Sequence, residues 1–388
     1  MAKILILLSQ DICHGLLDSM AYNLGQELNQ IGIETSYFDI KKEAPEKIVG
    51  YLDGTILAIV DFYSGILNVS VSDGTKLFDA FGVPVFQFLF DYPIYVEDIL
   101  GCKLKNYHAL CMDRDYVDAL SDIYSVRRAY FLPIPGKEGK NTKSWASRTH
   151  DIVFVGVYVN YRNILGLFDD CESDVKQFAL DYFNSMINHM ELNHMEALKV
   201  TLDEKGIGYD NELLHKFFLQ YGKVGRAARA YVREQMIKCL LDAGFSIDVY
   251  SYSWKDSVWD QYTNLIVHDV INEDEYIELL GDSKISLNCL YGNKFGFTER
   301  HGNSMLNGAV SVTDRTKYLS ENFMDQEDII FYDLDNIAQL PNRVKWLLDN
   351  PTKAEQISEN ARNKALQKYT WANACEQFLQ ILVNELEG

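Results

Sequence analysis

Short, unbroken apolar runs recur along this chain, each followed by a helical pattern, and few folds accommodate that. Lys3 to Leu8, Thr55 to Val60 and Val83 to Phe90 have strand length and lack the polar alternation of a half-exposed strand. Runs of this kind predict parallel strands covered on both faces. Leu16, Leu17, Met20, Leu24, Leu28 and Ile31 recur at helical spacing after the first run, and Gly32 closes that helix before a second strand, Ile33 to Phe38. A helical pattern over Thr75 to Phe81 separates the third and fourth runs. Tyr107 to Met112, a helix from Asp115, and Arg128 to Leu132 complete the series. The alternation predicts an α/β fold built on a doubly wound parallel sheet.

The series then restarts. Pro133 to Ser144 combines Pro, Gly and charge without periodicity and reads as a linker. Directly after it, Asp151-Ile-Val-Phe-Val-Gly156 opens a second strand-and-glycine unit. A chain of 388 residues has room for two or three domains. We expect an N-terminal Rossmann-like domain over residues 1–145 and a second over 150–369. From about 165 to 241 the strand signal disappears: Leu167, Phe168, Cys171, Val175, Phe178, Ala179, Tyr182 and Phe183 follow the helical period. This stretch reads as a helical insertion in the second domain. Alternation resumes with Phe245 to Tyr250, Leu265 to His268, a helix over Glu273 to Leu280, and Lys284 to Leu290. Asn336 to Leu348, Pro351 to Lys368 and Trp371 to Leu386 read as helices.

Composition narrows the function. A chain with 47% hydrophobic and 24% charged residues is not disordered as a whole. A net charge of −20 disfavours non-specific binding to nucleic acid or to an anionic membrane, so an anion site has to be a local basic pocket. The 24 tyrosines suit stacking on sugars or bases, although core filling is their commoner use. Seven scattered cysteines without a Cys-x-x-Cys fit a reducing compartment. Ile4 to Leu8 is too short for a signal-peptide core, and no stretch approaches the ~20 apolar residues of a membrane span. A soluble cytoplasmic protein is expected. The first loop, Ser9 to Gly15, lacks Gly-x-Gly-x-x-Gly, which argues against a dinucleotide dehydrogenase.

The richest stretch runs from Phe295 to Asp314: a strand end, a charged loop with Glu299 and Arg300, a short helix opened by His301-Gly302, a stop at Gly308, then a buried strand. Helix amides and a guanidinium at the carboxyl edge of a parallel sheet form an anion site suited to a diphosphate. The pattern Arg300-x-x-Asn303-x-x-x-x-Gly308-Ala309, followed by a strand and Thr313-Asp314, resembles the C-terminal half of GT-B glycosyltransferases. Among these it is similar to the "glycosyl transferases group 1" proteins related to the spore-maturation glycosyltransferases. Their usual pattern is Arg-x-Phe-Glu-x-x-Ala-x-Gly, and here Asn303 stands in the place of the Glu. The resemblance runs from about Asp151 to the C-terminus.

The resemblance implies two Rossmann-like domains facing a cleft, with residues 370–388 packing back on the first. It implies a UDP- or GDP-linked nucleotide-sugar bound by the C-terminal half and no metal cofactor. The acceptor would be a glycan, a lipid-linked molecule or a protein, presented by the N-terminal half. Arg300 would hold the diphosphate and Glu299 the sugar hydroxyls, while Thr298, His301, Gly302, Asn303 and Ser304 ring ribose and phosphates. Gly156, Tyr158 and Arg162 would border the donor.

Other residues stand on their own chemistry. His14 or Asp11 in the first loop, and Asp91 after the strand Val83 to Phe90, are proton acceptors at a sheet edge, with turn capping as the alternative for each. Asp61 belongs to the same class. Arg226, Arg229 and Arg233 share one helix face, either as an anion site for a diphosphate or acidic acceptor, or as solvated charge paired with neighbours such as Glu234. His189 and His194 lie ~140° apart on a helix, so they read as surface helix and not as a metal pair. A non-catalytic nucleotide-sugar- or glycan-binding protein and a sugar-nucleotide epimerase remain as other classes.

Overall fold

The computed structural model describes residues 3–10, 12–100 and 103–387. They form two compact units, Met1–Pro135 with Lys368–Gly388, and Gly136–Gln367.

The first unit contains β1 (Lys3–Leu7), α1 (Leu16–Gln30), β2 (Glu34–Phe38), β3 (Ile56–Asp61), α2 (Leu77–Phe81), β4 (Val85–Leu89), α3 (Glu97–Leu100), β5 (Tyr107–Cys111), α4 (Arg114–Asp122) and β6 (Ala129–Phe131). The strands lie in the order β2-β1-β3-β4-β5-β6 and every pairing is parallel. β4 and β5 are buried along their whole length, which accounts for their unbroken apolar sequence.

The second unit contains β7 (His150–Val155), α5 (Tyr161–Leu165), α6 (Ser173–Asn188), α7 (His194–Glu204), α8 (Asn211–Asp242), β8 (Ile247–Tyr250) and β9 (Leu265–His268). It continues with α9 (Glu273–Gly281), β10 (Ser283–Leu287), α10 (Glu299–Leu306), β11 (Val310–Asp314), α11 (Lys317–Asn322), β12 (Ile330–Tyr332), α12 (Leu340–Asp349) and α13 (Pro351–Lys368). Its sheet, β12-β11-β10-β7-β8-β9, is also parallel throughout. The chain then returns to the first unit as α14 (Trp371–Glu387), which packs on α1. Trp371, Ala374, Cys375, Phe378 and Leu382 form its buried stripe, and Phe378 meets the Phe86 ring edge-on at 5.4 Å.

Three sequence expectations change, and one strand was missed. The linker does not run free: Gly136 lies so close to Gly302 that a Cβ would stand 2.2 Å from the Gly302 carbonyl carbon. Lys143 donates from its backbone to Gly281, and its side chain pairs with Asp282 at 2.6 Å. His189 and His194 do not share a helix. α6 stops at Asn188 and Asn193 starts α7 with a capping box, which buries His194. α10 begins at Glu299, because the Thr298 carbonyl accepts from the His301 and Gly302 amides and so opens the helix two residues early. β12 went unread, its three residues being too short to register as a run.

Candidate functional site

The carboxyl edge of the second sheet gathers the cations. β7 ends at Val155 and turns through Gly156, Val157 and Tyr158. Trp254 fixes this turn by donating its indole N–H to the Gly156 carbonyl at 2.7 Å, and Ser253 Oγ accepts from the Tyr158 amide at 2.8 Å. Both residues follow β8, so neighbouring strand ends hold one another.

Arg300, in the first turn of α10, reaches this loop and donates through Nη1 to the Val155 carbonyl. Its guanidinium nitrogens lie 3.2 and 3.3 Å from where a Cβ on Gly156 would stand, so the glycine is what lets the fork approach. Glu299 Oε1 is 3.8 Å from Arg300 Nε, too long for a hydrogen bond.

Arg233 approaches the same turn from α8. Its Nη1 donates to the Val157 carbonyl at 3.1 Å, its Cζ stands 5.3 Å from the Phe154 ring centroid, and its Nε is covered without a hydrogen-bond partner. Burial, together with the charges of Arg300 and Arg229, lowers its pKa to about 9. The three-arginine face therefore splits. Arg226 is exposed, Arg229 is half-buried, and Arg233 engages the β7 turn.

The expected pairing of these arginines with Glu234 is not what the fold makes. Glu234 is fully buried and accepts from Tyr158 Oη at 2.9 Å, Arg162 Nη1 at 3.3 Å and Lys238 Nζ at 2.8 Å. Tyr158 and Arg162, expected beside the donor, are engaged with this carboxylate. The Tyr158 ring packs 5.3 Å from Trp254 and 5.1 Å from Trp259.

Several residues expected around the ribose also turn inward, because α10 is buried from His301 to Leu306. The His301 ring nitrogens pair with Thr298 Oγ1 at 3.1 Å and Thr313 Oγ1 at 3.2 Å. Burial and the Arg300 charge push its pKa down to about 3, so it is neutral. Ser304 Oγ donates to the Arg300 carbonyl at 2.6 Å and meets Ser286 Oγ at 2.8 Å. Asn303 accepts from the Lys137 amide. Gly302 lies under Gly136. Of the set, Glu299 and Arg300 remain partly open.

Sequence reasoning gave no role to Cys289 or Asp314, both buried. Asp314 takes the Leu290 amide at 2.6 Å on one carboxylate oxygen, while the other is buried without a partner, and burial raises its pKa. Burial raises the Cys289 thiol to about 11, with Asp314 and Arg233 acting on it in opposite senses.

In the first unit His14 is exposed, in the short 3-10 turn Ile12–Gly15 that follows β1, and Asp91 is half-buried on the loop after β4. Asp61 does not serve as a free base: it is fully buried, accepting from Gln87 Nε2 at 2.7 Å and from the Tyr63 and Ser64 amides. Asp11 lies outside the described residues. Among the described residues no cluster of three or more His, Cys, Asp or Glu could hold a metal ion, and no helix is long and apolar enough to cross a membrane.

Residues 229–380 match the family described as glycosyl transferase-like. No curated protein matches the chain. Among solved structures it is similar to AviGT4, a glycosyltransferase involved in avilamycin A biosynthesis, at 11% identity and TM-score 0.55, covering 98% of this chain and 97% of that one. An alpha-glucosyltransferase in complex with UDP aligns at 11% identity and TM-score 0.57, covering 99% and 100%. Anabaena Alr3699/HepE in complex with UDP and glucose aligns at 10% identity and TM-score 0.55, also covering 99% and 100%. Two parallel six-stranded sheets with flanking helices, aligned over nearly the whole chain, make this the GT-B fold.

Proposed function

We propose that this glycosyl transferase-like chain of GT-B fold moves a sugar from a nucleoside-diphosphate sugar to a hydroxyl-bearing or protein acceptor. The observation that carries this reading is the approach of Arg300 to Gly156: a partly open guanidinium, at the head of an eight-residue helix, set against a turn that has no side chain in the way. That arrangement suits a diphosphate.

In the reaction, the bond between the anomeric carbon and the diphosphate oxygen breaks and its electron pair leaves with the diphosphate. Arg300 and the first amides of α10 meet that charge as it develops, which lowers the barrier more than it strengthens ground-state binding. Glu299, beside Arg300, is our candidate for holding the sugar hydroxyls. The acceptor oxygen forms the new bond and gives its proton to a base, for which His14 and Asp91 are the candidates. Cys111, Cys171, Cys239, Cys289 and Cys375 are free thiols, in keeping with a reducing, cytoplasmic setting.

The uridine nucleotides in similar structures make UDP the first ligand to test. A ligand that binds only the folded state raises the melting temperature, by ~2.7 kcal/mol of stabilisation at a hundredfold excess over Kd. We expect a shift with UDP or GDP and their sugars that Arg300→Ala abolishes, and release of nucleoside diphosphate once an acceptor is present. Silence across the whole nucleotide panel would sink the reading, while binding without release under any acceptor would favour a nucleotide-sugar-binding role without turnover.

A further inference from the structure

We propose that Arg233, carried on the helical insertion, is the second fork of the diphosphate site, so that Arg300 and Arg233 take one phosphoryl group each. The proposal rests on the nucleotide-sugar reading above and deepens it to a selectivity: diphosphates over monophosphates.

Both guanidinium groups are fixed to the same short turn, Arg300 on the Val155 carbonyl and Arg233 on the Val157 carbonyl, with Gly156 between. Each bond uses one nitrogen of a group that carries five N–H donors, which leaves the rest of each fork free to match a phosphoryl edge. Arg233 Nε is a donor covered from solvent and unmatched, a costly state that a bound oxyanion would relieve.

Charge points the same way. No carboxylate pairs with Arg233 among the described residues; Glu234, its neighbour in sequence, is engaged with Tyr158, Arg162 and Lys238. Arg300 and Arg229 both act on Arg233 as like charges, and its lowered pKa reflects that repulsion as well as burial. Like charges brought together in a chain of net charge −20, where carboxylates outnumber cations, imply that an anion completes the arrangement. A monophosphate satisfies one fork. A diphosphate satisfies both.

The purely structural alternative is that Arg233 pins the turn and covers Phe154. Arg233→Met keeps much of the apolar stem that lies on Phe154 and removes only the fork, and Arg233→Lys keeps the charge without the fork geometry. Titrations of the intact protein with UDP, UMP and inorganic pyrophosphate separate the readings, with GDP and GMP replacing the uridine pair if the latter is silent. For the wild type we expect diphosphate to bind at least ~10-fold tighter than monophosphate, and pyrophosphate to compete, as a second charge-assisted contact implies. In Arg233→Met that preference should shrink towards unity with monophosphate affinity unchanged, and Arg233→Lys should fall between. A variant that melts lower yet keeps the full diphosphate preference overturns the role of Arg233 and leaves the nucleotide-sugar reading standing. A wild type that binds none of the nucleotides overturns both.

Discussion

The side-chain oxygen of Asn303 accepts a hydrogen bond from the backbone amide of Lys137 at 2.7 Å. One turn further, just past the end of α10, Asn307 accepts from the Gly139 amide at 2.7 Å and donates to the Lys137 carbonyl at 2.8 Å. Two asparagines at i and i+4 thus tie the segment that enters the second unit to the helix that carries Arg300. Asn303, which stands where the similar proteins' pattern has Glu, makes this bond to backbone. Asn303→Ala leaves a buried amide unmatched and should cost about 1–3 kcal/mol of stability, read as a lower melting temperature. Nucleotide affinity should move little. Asn303→Glu should also destabilise, by forcing a longer, charged side chain into a residue position that is 2% exposed, and should not raise activity.

The same joint can be probed from its other side. A Cβ on Gly136 would stand 2.2 Å from the Gly302 carbonyl carbon and 2.4 Å from the Asn303 nitrogen, both backbone atoms that cannot rotate away. Gly136→Ala should cost at least the ~1–3 kcal/mol of an overpacked core, measured by denaturant unfolding. Gly208→Ala is the control, since nothing lies within 4 Å of that Cβ. It should be neutral or stabilise by up to ~1 kcal/mol through the unfolded chain.

The difference between these two glycines marks what sequence reading reaches. Unbroken apolar runs announced β1, β4, β5 and β7, because a strand buried on both faces has no alternation to hide it. The helices of 165–241 were legible from period alone, and so was the stop at Gly308, where φ is +82°. Arg300 was legible as a cation at the head of a short helix that precedes a buried strand. What stayed hidden depends on contacts between distant segments. The i, i+3, i+7 spacing of Arg226, Arg229 and Arg233 gives a face, and the path of α8 past the β7 turn decides that Arg233 bonds to it. Nothing near Asn303 in sequence announces Lys137, and nothing near Tyr158 announces Glu234.

Gly156→Ala tests the anion site directly. The added methyl would meet the Arg300 nitrogens at 3.2 and 3.3 Å and the Phe154 ring at 3.3 Å, tight contacts that a flexible guanidinium can relieve by moving. Gly156 is not among the positive-φ residues, so Ala carries no backbone penalty there. Stability should change by less than about 1 kcal/mol, while displacing the fork should weaken nucleoside diphosphate binding ~10-fold. Calorimetric titration beside a melting curve reads both. Unchanged affinity would mean that the ligand's phosphates do not meet Arg300 at this turn.

Acid should destabilise the protein through its buried imidazoles. Burial lowers His194 and His301 to about 3 and His108 to about 4, with nearby Arg229 and Lys294 adding to the first and Arg300 to the second. In the unfolded chain each returns to ~6.5, so below that value the unfolded state binds protons that the folded state refuses. The stability that neutral burial confers is complete above ~6.5 and is lost as pH falls towards 3–4. Asp61 and Asp314, raised by burial, act in the opposite sense, since the folded state holds their protons longer. Unfolding free energy measured from pH 7.5 to 4.5 should fall with a slope to which each buried histidine contributes up to about one proton. His301→Gln, which keeps a donor and an acceptor for Thr298 and Thr313, should lower the stability at neutral pH and flatten the acid slope by about one proton. An unchanged slope in that variant would mean that His301 takes up its proton in the folded protein as readily as in the unfolded chain.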